Sequence, residues 1–169
     1  YRINIGTGYT DAPLYWYAVT LLNDAEAKAE LGTITQSDLD KTVNLLQSRV
    51  GLKAMTLQPD ADPANNMGVS NLLWEIRRCR RCELMTDNWY RYWDLVRWHQ
   101  LDKLDTSKHP DIMLGANLSN VSNVGVNVTA DKYMIGNTKT RTYDSKYYLY
   151  PIPAGQTTLS PETGQNLGW

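Results

Sequence analysis

The chain has no phenylalanine, only two cysteines and no long apolar run, and these shortages exclude several kinds of protein. Two cysteines in 169 residues cannot build the disulfide framework of a small secreted domain, so stability must come from burial. No run of about eighteen apolar residues is present, so we expect no membrane-spanning helix. The net charge of -1 lacks the basic excess with which nucleic-acid-binding proteins offset phosphates.

The aromatic residues that are present are unbalanced, with eleven tyrosines and six tryptophans. Rings with one polar end suit half-wet surfaces such as sugar platforms and protein interfaces, although they also fill ordinary cores. The length and the hydrophobic fraction of 42% predict one domain, or part of one, with a real core. Because the chain begins at Tyr1 without an apolar leader, we expect a signal peptide to be removed or to lie upstream.

Residues 1–52 predict a helical hairpin. Pro13 suits the first turn of a helix whose apolar residues recur at helical spacing, and Gly32 is expected to end it. Thr35 and Asp38 resemble a capping pair at the start of a second helix. A helix pair of this kind needs neighbouring pairs to bury its apolar faces, so we expect further sequence upstream of this chain.

The rest of the chain predicts a loop, two more helices and a long irregular region. Turn-forming residues dominate residues 53–69, and helical spacing returns over residues 70–101, which we divide into helices over 70–84 and about 89–101. Residues 102–169 predict an irregular loop and a C-terminal tail. Within this region we expect a short hairpin around Gly136-Asn137 and an extended segment at Pro151-Ile152-Pro153.

Two cysteines on one predicted helix raise the question of a redox or metal site. Cys79 and Cys82 form a C-x-x-C pattern, which elsewhere is a redox motif or half of a zinc site. The alternative, which we favour, is that both replace ordinary residues of a structural helix. His99 and His109 are not spaced like zinc ligands, so we predict no metal and keep a thiol or zinc enzyme as a third hypothesis.

Charges and rings are concentrated in the two helices that follow the loop. We call the charged and tryptophan residues of this segment its structural signature. They are Arg80, Arg81, Glu83, Arg91, Trp93, Asp94, Arg97 and Trp98. Guanidinium groups could clamp an anionic substrate, but we favour ion pairs that lock these helices to each other and to the C-terminal tail.

Three aromatic residues beside the predicted turn, Trp89, Tyr90 and Tyr92, are the candidate sugar-stacking platform, with core packing as the alternative. The sequence contains no recognisable pairing of a nucleophile with an oriented base and no glycine-rich phosphate loop. We therefore predict neither catalysis nor a cofactor.

Three ordered motifs resemble one protein family. They are Ala25-Glu26-Ala27 with Leu31-Gly32, the segment from Arg80-Arg81-Cys82-Glu83-Leu84 to Trp93-Asp94-Leu95-Val96-Arg97-Trp98, and Tyr150-Pro151-Ile152-Pro153 with Gln165-Asn166-Leu167-Gly168-Trp169. Together they resemble the C-terminal region of the SusD/RagB family of nutrient-binding lipoproteins from Bacteroidetes. The resemblance implies a mainly α fold with a tetratricopeptide-like helical hairpin, further helices and a long irregular C-terminal region.

The resemblance also implies a role in polysaccharide utilisation. It implies non-catalytic binding of glycans or other nutrients at the surface of the outer membrane, and their delivery to a SusC-like TonB-dependent transporter. Residues 1–169 would form a single C-terminal region, with the lipid anchor in a missing N-terminal part. The sugar-contacting aromatic residues of the family lie largely upstream of these motifs, so none is carried over. The alternative hypothesis is a helical-repeat scaffold that binds protein partners and no carbohydrate.

Overall fold

Helices carry most of the regular structure of this chain. The computed structural model describes residues 15–86, 90–122 and 125–169. Within these ranges the chain forms six α-helices, four short 3-10 helices and one two-stranded antiparallel sheet. The chain divides into two compact units, one within residues 1–88 and the other within residues 89–169. The prediction of a mainly helical fold is confirmed.

Four helices form the first unit: α1 (Tyr17–Glu30), α2 (Gln36–Lys41), α3 (Val43–Arg49) and α4 (Asn71–Glu83). The predicted start at Pro13 lies outside the described residues. At the other end of α1, Gly32 adopts a φ of +67°, and the amide of Thr33 donates to the carbonyl of Lys28 at 3.0 Å. This left-handed cap is the glycine stop expected from the sequence.

The prediction of one continuous second helix is wrong, because the structure breaks it into α2 and α3 at Thr42. The backbone there has φ -123° and ψ -94°, and the Thr42 hydroxyl donates to the carbonyl of Asp38 at 2.6 Å. A threonine that bonds back to the preceding turn in this way competes with helical geometry. The start of α2 is as predicted, since Thr35 and Asp38 exchange both bonds of a capping box.

The core of the first unit lies where α1 packs against α4, and α3 contacts both of these helices. Its fully buried side chains include Leu22, Leu39, Val43 and Ile76. A buried asparagine, Asn44, pins the following loop to this core. Its side chain accepts from the Met55 amide at 2.7 Å and donates to the Met55 carbonyl at 3.1 Å.

In the second unit, α5 (Tyr90–Arg97) is followed by 3-10 helices at Leu101–Leu104 and Pro110–Met113. The prediction that α5 extends to Leu101 is wrong. His99 adopts a φ of +53°, and the Gln100 amide donates to the Leu95 carbonyl at 2.8 Å. A left-handed residue with this bond ends a helix, here with histidine at a position that glycine usually occupies.

The two strands of the second unit are β1 (Leu114–Asn117) and β2 (Tyr133–Ile135), which pair antiparallel. The hairpin expected around Gly136-Asn137 is therefore wrong, because Gly136 follows β2 and does not form the turn. Its amide donates to the Met113 carbonyl at 2.9 Å, and a Cβ there would lie 3.2 Å from the same oxygen. Glycine at this position permits the close approach of two backbones.

The remainder of the chain combines extended backbone with short helices. It contains a 3-10 helix at Ser145–Tyr148, helix α6 (Ala154–Leu159) and a last 3-10 helix at Pro161–Thr163. No described helix has the length and the hydropathy that a membrane span requires.

Candidate functional site

A cavity of about 270 Å³ lies in the second unit and is walled mainly by aromatic rings. Five rings contribute to it: Tyr92 from α5, then Tyr143, Tyr147, Tyr150 and Trp169 from the C-terminal region. The described lining is completed by Leu101, Leu104, Arg141, Thr142 and Leu149. Rings that carry a hydroxyl or an indole N–H at one edge give this wall both stacking surface and hydrogen-bonding groups.

The Tyr92 and Tyr150 side chains connect α5 to the C-terminal segment across the cavity wall. Burial and a hydrogen bond to Tyr150 raise the pKa of the Tyr92 hydroxyl. The Tyr150 side chain remains 70% exposed. One ring of the pair is thus held in place while the other presents its face to solvent.

The terminal tryptophan is held against the wall by its indole N–H. Trp169 Nε1 donates to the Leu149 carbonyl at 3.0 Å, and its ring lies 5.9 Å from that of Tyr147 at 60°. Gly168 has a φ of +88°, and a Cβ on it would lie 3.0 Å from the Cβ of Lys146. Glycine before Trp169 therefore satisfies both the backbone conformation and the close contact.

The extended segment before the tail is fastened by two amide side chains. In Pro151-Ile152-Pro153 only Ile152 has a backbone N–H, and that N–H donates to Gln165 Oε1 at 2.7 Å. Gln165 Nε2 returns a bond to the Ile152 carbonyl at 2.9 Å, and Asn166 Nδ2 donates to the Tyr150 carbonyl at 2.6 Å. These bonds explain why the terminal motif joins prolines to a Gln-Asn pair.

Asp105 fixes the backbone of the opposite wall. Its carboxylate accepts from the Ser107 amide at 2.8 Å, from the Ser107 hydroxyl at 2.6 Å and from the Tyr143 amide at 3.1 Å. These bonds lower the pKa of Asp105 from 3.8 to about 2, and the bond from the Ser107 hydroxyl contributes most.

Acid is expected to loosen this wall. Because the pKa of Asp105 is depressed on folding, its contribution to stability is complete above pH 4 and is lost as the pH falls through about 2. Melting temperatures measured between pH 5 and pH 2 should fall more steeply for the native chain than for Asp105→Asn. Parallel pH profiles, or a carboxyl pKa near 4 for Asp105 by NMR, would contradict this assignment.

Of the three residues predicted as a sugar platform, Tyr92 is among the described lining of the cavity. Trp89 lies outside the described residues, and Tyr90 is half-buried at the start of α5. Residues two apart on a helix point to different faces, and Tyr90 is not among the described lining of the cavity. Trp93, which is half-exposed, packs edge-on against Tyr92 with ring centroids 5.3 Å apart. The platform as drawn from the sequence remains a prediction.

Four of the five rings in the cavity were missed by reasoning from the sequence. Tyr143, Tyr147, Tyr150 and Trp169 all belong to the region expected to be irregular loop and tail. The density of tyrosine between residues 143 and 150 was the available signal. Without regular secondary structure there was no periodicity to indicate which rings share a face.

Two arginines of α4 bond to α1 within the first unit. Arg77 donates to Glu26 at 3.0 Å and to Glu30 at 2.7 Å, both on α1. Arg80 is buried and donates to Asn23 Oδ1 at 2.8 Å. These bonds run between two helices that the sequence separates by about fifty residues, and they fasten α4 to α1.

The remaining α4 signature residues have different surroundings. Glu83 binds Arg49 at the end of α3 in a two-pronged contact of 2.6 and 2.8 Å, whereas Arg81 is exposed. Both distances start from the same nitrogen, Arg49 Nη2, so one end of the guanidinium group contacts both oxygens of the carboxylate.

In the second unit, the signature residues of α5 form one local cluster. The buried carboxylate of Asp94 accepts from Arg97 Nε at 2.9 Å. The Arg97 guanidinium lies 4.8 Å from the ring centroid of Trp98, and that of Arg91 lies 6.0 Å from it. Both distances are within the range of cation–π attraction. Asp94 and Trp98 thus orient the arginines of this helix.

Cys79 does not have the surroundings of a reactive thiol. Burial, and then the charge of Glu83, raises the pKa of Cys79 to about 11, which disfavours the thiolate needed for nucleophilic attack or metal binding. Cys82 is exposed, and both thiols are free. Over the described ranges, no three histidine, cysteine or acidic side chains are grouped to hold a metal ion.

The fold and the site together define a mainly helical protein with an aromatic cavity in its C-terminal part. The family model of the SusD family matches residues 1–169. The chain belongs to the SusD family, as its three ordered motifs predicted.

Two solved structures are similar to this chain. A SusD-like protein from Bacteroides fragilis is 29% identical over 90% of this chain, with a TM-score of 0.61. The selenomethionine form of BT4246 is 28% identical over 95% of it, with a TM-score of 0.60. The chain spans 25% of the length of each. No curated protein matches the chain.

Proposed function

We propose that this chain binds carbohydrate in the aromatic cavity, as part of a surface protein that captures nutrients without transforming them. The observation that carries this proposal is the set of five aromatic rings around one cavity of about 270 Å³. Sugar rings present apolar C–H faces and polar edges, which such a wall complements. The volume is close to the lower end of ligand pockets, roughly 300 to 1,000 Å³, so it suits a short stretch of glycan.

Membership of the SusD family supports the wider role. We propose that the protein is lipid-anchored at the surface of the outer membrane and passes bound glycan to a SusC-like TonB-dependent transporter. Neither step requires a reaction at the site, which accords with a binding protein and not with an enzyme.

A helical-repeat scaffold for protein partners is the second candidate. A groove of about 440 Å³ in the first unit favours it, with Trp16, Tyr17, Leu46 and Leu84 among its lining. Apolar grooves on helical pairs commonly receive another helix. This function predicts copurification of a protein partner and no retention on glycans.

A glycan array probed with the full chain tests the first proposal, with Tyr150→Ala as the informative variant. Tyr150 is 70% exposed and its bond from Asn166 uses the backbone carbonyl, so the substitution removes the ring together with one side-chain hydrogen bond, that to Tyr92. Loss of one stacking ring is expected to weaken glycan binding at least about tenfold.

Tyr133→Ala is the matched control, because Tyr133 is an exposed tyrosine of the same unit that does not line the cavity. Glycan retention should be unchanged in this variant. Equal losses in the two variants, or no retention of any glycan by the native chain, would refute binding at the cavity.

A further inference from the structure

The cavity has one charged residue among its described lining, the guanidinium of Arg141. Arg141 forms no ion pair or side-chain hydrogen bond with any residue in the described parts of the chain. A guanidinium group without a carboxylate, placed beside stacking rings, is suited to receive an anionic group of a ligand.

The backbone of Arg141 is fixed although its side chain is exposed. Its amide donates to Thr106 Oγ1 at 3.0 Å, and its carbonyl accepts from the Thr106 amide at 3.0 Å. These bonds hold the residue at the cavity without using the guanidinium. The backbone of Arg141 is therefore fixed, while its guanidinium group remains available to a ligand.

Two lysines lie against rings of the same cavity. Lys108 Nζ is 5.8 Å from the ring centroid of Tyr143, and Lys146 Nζ is 4.6 Å from that of Trp169. Neither lysine forms an ion pair with a described carboxylate. Together with Arg141, these lysines give three cations at or beside residues that line the cavity.

The carboxylates in the neighbourhood do not line the cavity. Asp105 is occupied by Ser107 and by the Tyr143 amide, and Asp144 accepts from the Lys146 amide at 3.0 Å. Asp102 is close enough for its charge to act on Tyr143. These acids reduce the positive potential near Tyr143, yet Arg141 is the charged residue among the described lining of the cavity.

We infer that the cavity selects an acidic saccharide, one bearing a carboxylate or a sulfate ester, with Arg141 as the residue that determines this specificity. The inference rests on the proposed function, because it names the class of sugar bound at the same cavity. Arg141 pairs with the anionic substituent while the rings stack on the sugar faces. A uronate carboxylate fits the planar fork of the guanidinium through two parallel hydrogen bonds.

The test is an array of uronic-acid oligosaccharides, each printed beside its carboxyl-reduced neutral counterpart, with sulfated oligosaccharides in a third set. The full native chain should bind at least one acidic member about tenfold or more tightly than its neutral partner. Preference for the uronates or for the sulfated set identifies which anionic group is bound. Raising the salt concentration should reduce this preference, since screening weakens exposed charge pairs.

Arg141→Gln isolates the charge, because both backbone bonds to Thr106 remain. It should weaken binding of the acidic member at least about tenfold and leave the neutral partner unchanged. Arg141→Lys keeps the charge without the fork and should fall between the two. Arg81→Gln, which removes an exposed arginine of the first unit, should bind like the native chain.

Three results would overturn the inference. Equal or tighter binding of neutral sugars would refute the acidic specificity and leave the carbohydrate-binding proposal intact. An acidic preference that survives in Arg141→Gln would refute the role of this residue. No binding of any oligosaccharide would refute both this inference and the proposed function.

Discussion

Replacing Arg77 with alanine is expected to lower the free energy of unfolding of the first unit by about 3 kcal/mol. Arg77 Nε donates to Glu26 on α1 at 3.0 Å, and the Glu26 side chain is 4% exposed. Because the Glu26 carboxylate is buried, water cannot replace Arg77 as its donor. In the variant, the cost of burying the negative charge of Glu26 is therefore less well compensated. Urea denaturation followed by helical circular dichroism measures the loss.

Arg78 is a matched control, because it is the next residue of α4 and also forms an ion pair. It binds Glu75 one turn earlier at 2.6 Å, but its side chain is 54% exposed. Exposed pairs of this type contribute about 0–1 kcal/mol, so Arg78→Ala should unfold almost like the native chain. Similar losses in both variants would show that burial of the Glu26 pair is not the cause.

A second change in the Arg77→Ala background separates charge from packing. Glu26→Gln removes the buried negative charge, and it should recover part of the stability lost with Arg77. The double variant could instead be less stable than Arg77→Ala by as much as a further core substitution costs. In that case the stability lost with Arg77 comes from packing and not from electrostatics.

Replacing Asp94 with alanine is expected to lower the stability of the second unit by about 2–3 kcal/mol. The Asp94 side chain is 4% exposed and accepts from Arg97 Nε at 2.9 Å, while Arg97 is 43% exposed. Because Arg97 remains partly in water, the cost should be lower than the 3–5 kcal/mol typical of a fully buried pair. Differential scanning calorimetry of the native and variant chains would detect the decrease.

The Asp94 variant also distinguishes a structural role from a binding role. Asp131→Ala, which removes an exposed carboxylate of the same unit, should leave the melting temperature unchanged. Unchanged melting of Asp94→Ala together with loss of glycan binding would contradict the structural account of the signature. Lowered melting with binding retained below the transition would support it.

Local signals were sufficient where the structure depends on a few adjacent residues. The capping box at Thr35 and Asp38 and the glycine stop at Gly32 are both present, because each bond joins residues three to five apart. The same reasoning failed at Thr42 and His99. Threonine and histidine are tolerated inside helices, so neither residue type marks a break.

The cavity could not be derived in this way. Tyr92 and Tyr150 are 58 positions apart, and the cavity wall between them depends on a Gln-Asn pair that holds an extended proline segment. Bonds of this range join residues whose separation has no period, so no pattern in the sequence indicates them. The candidate platform beside α5 remains a prediction, and of its members Tyr92 is among the described lining of the cavity.

The sequence by itself determined the family, the helical class and several helix ends, among them those at Gly32 and Thr35, because those depend on ordered motifs and on hydrogen bonds between near neighbours. Only the tertiary structure decided which charges are partners and which rings share a cavity. Arg77 meets Glu26 across 51 residues, and Trp169 returns to Leu149 across 20. Those contacts follow from burial of the two cores, which selects among many pairings that the sequence alone would allow.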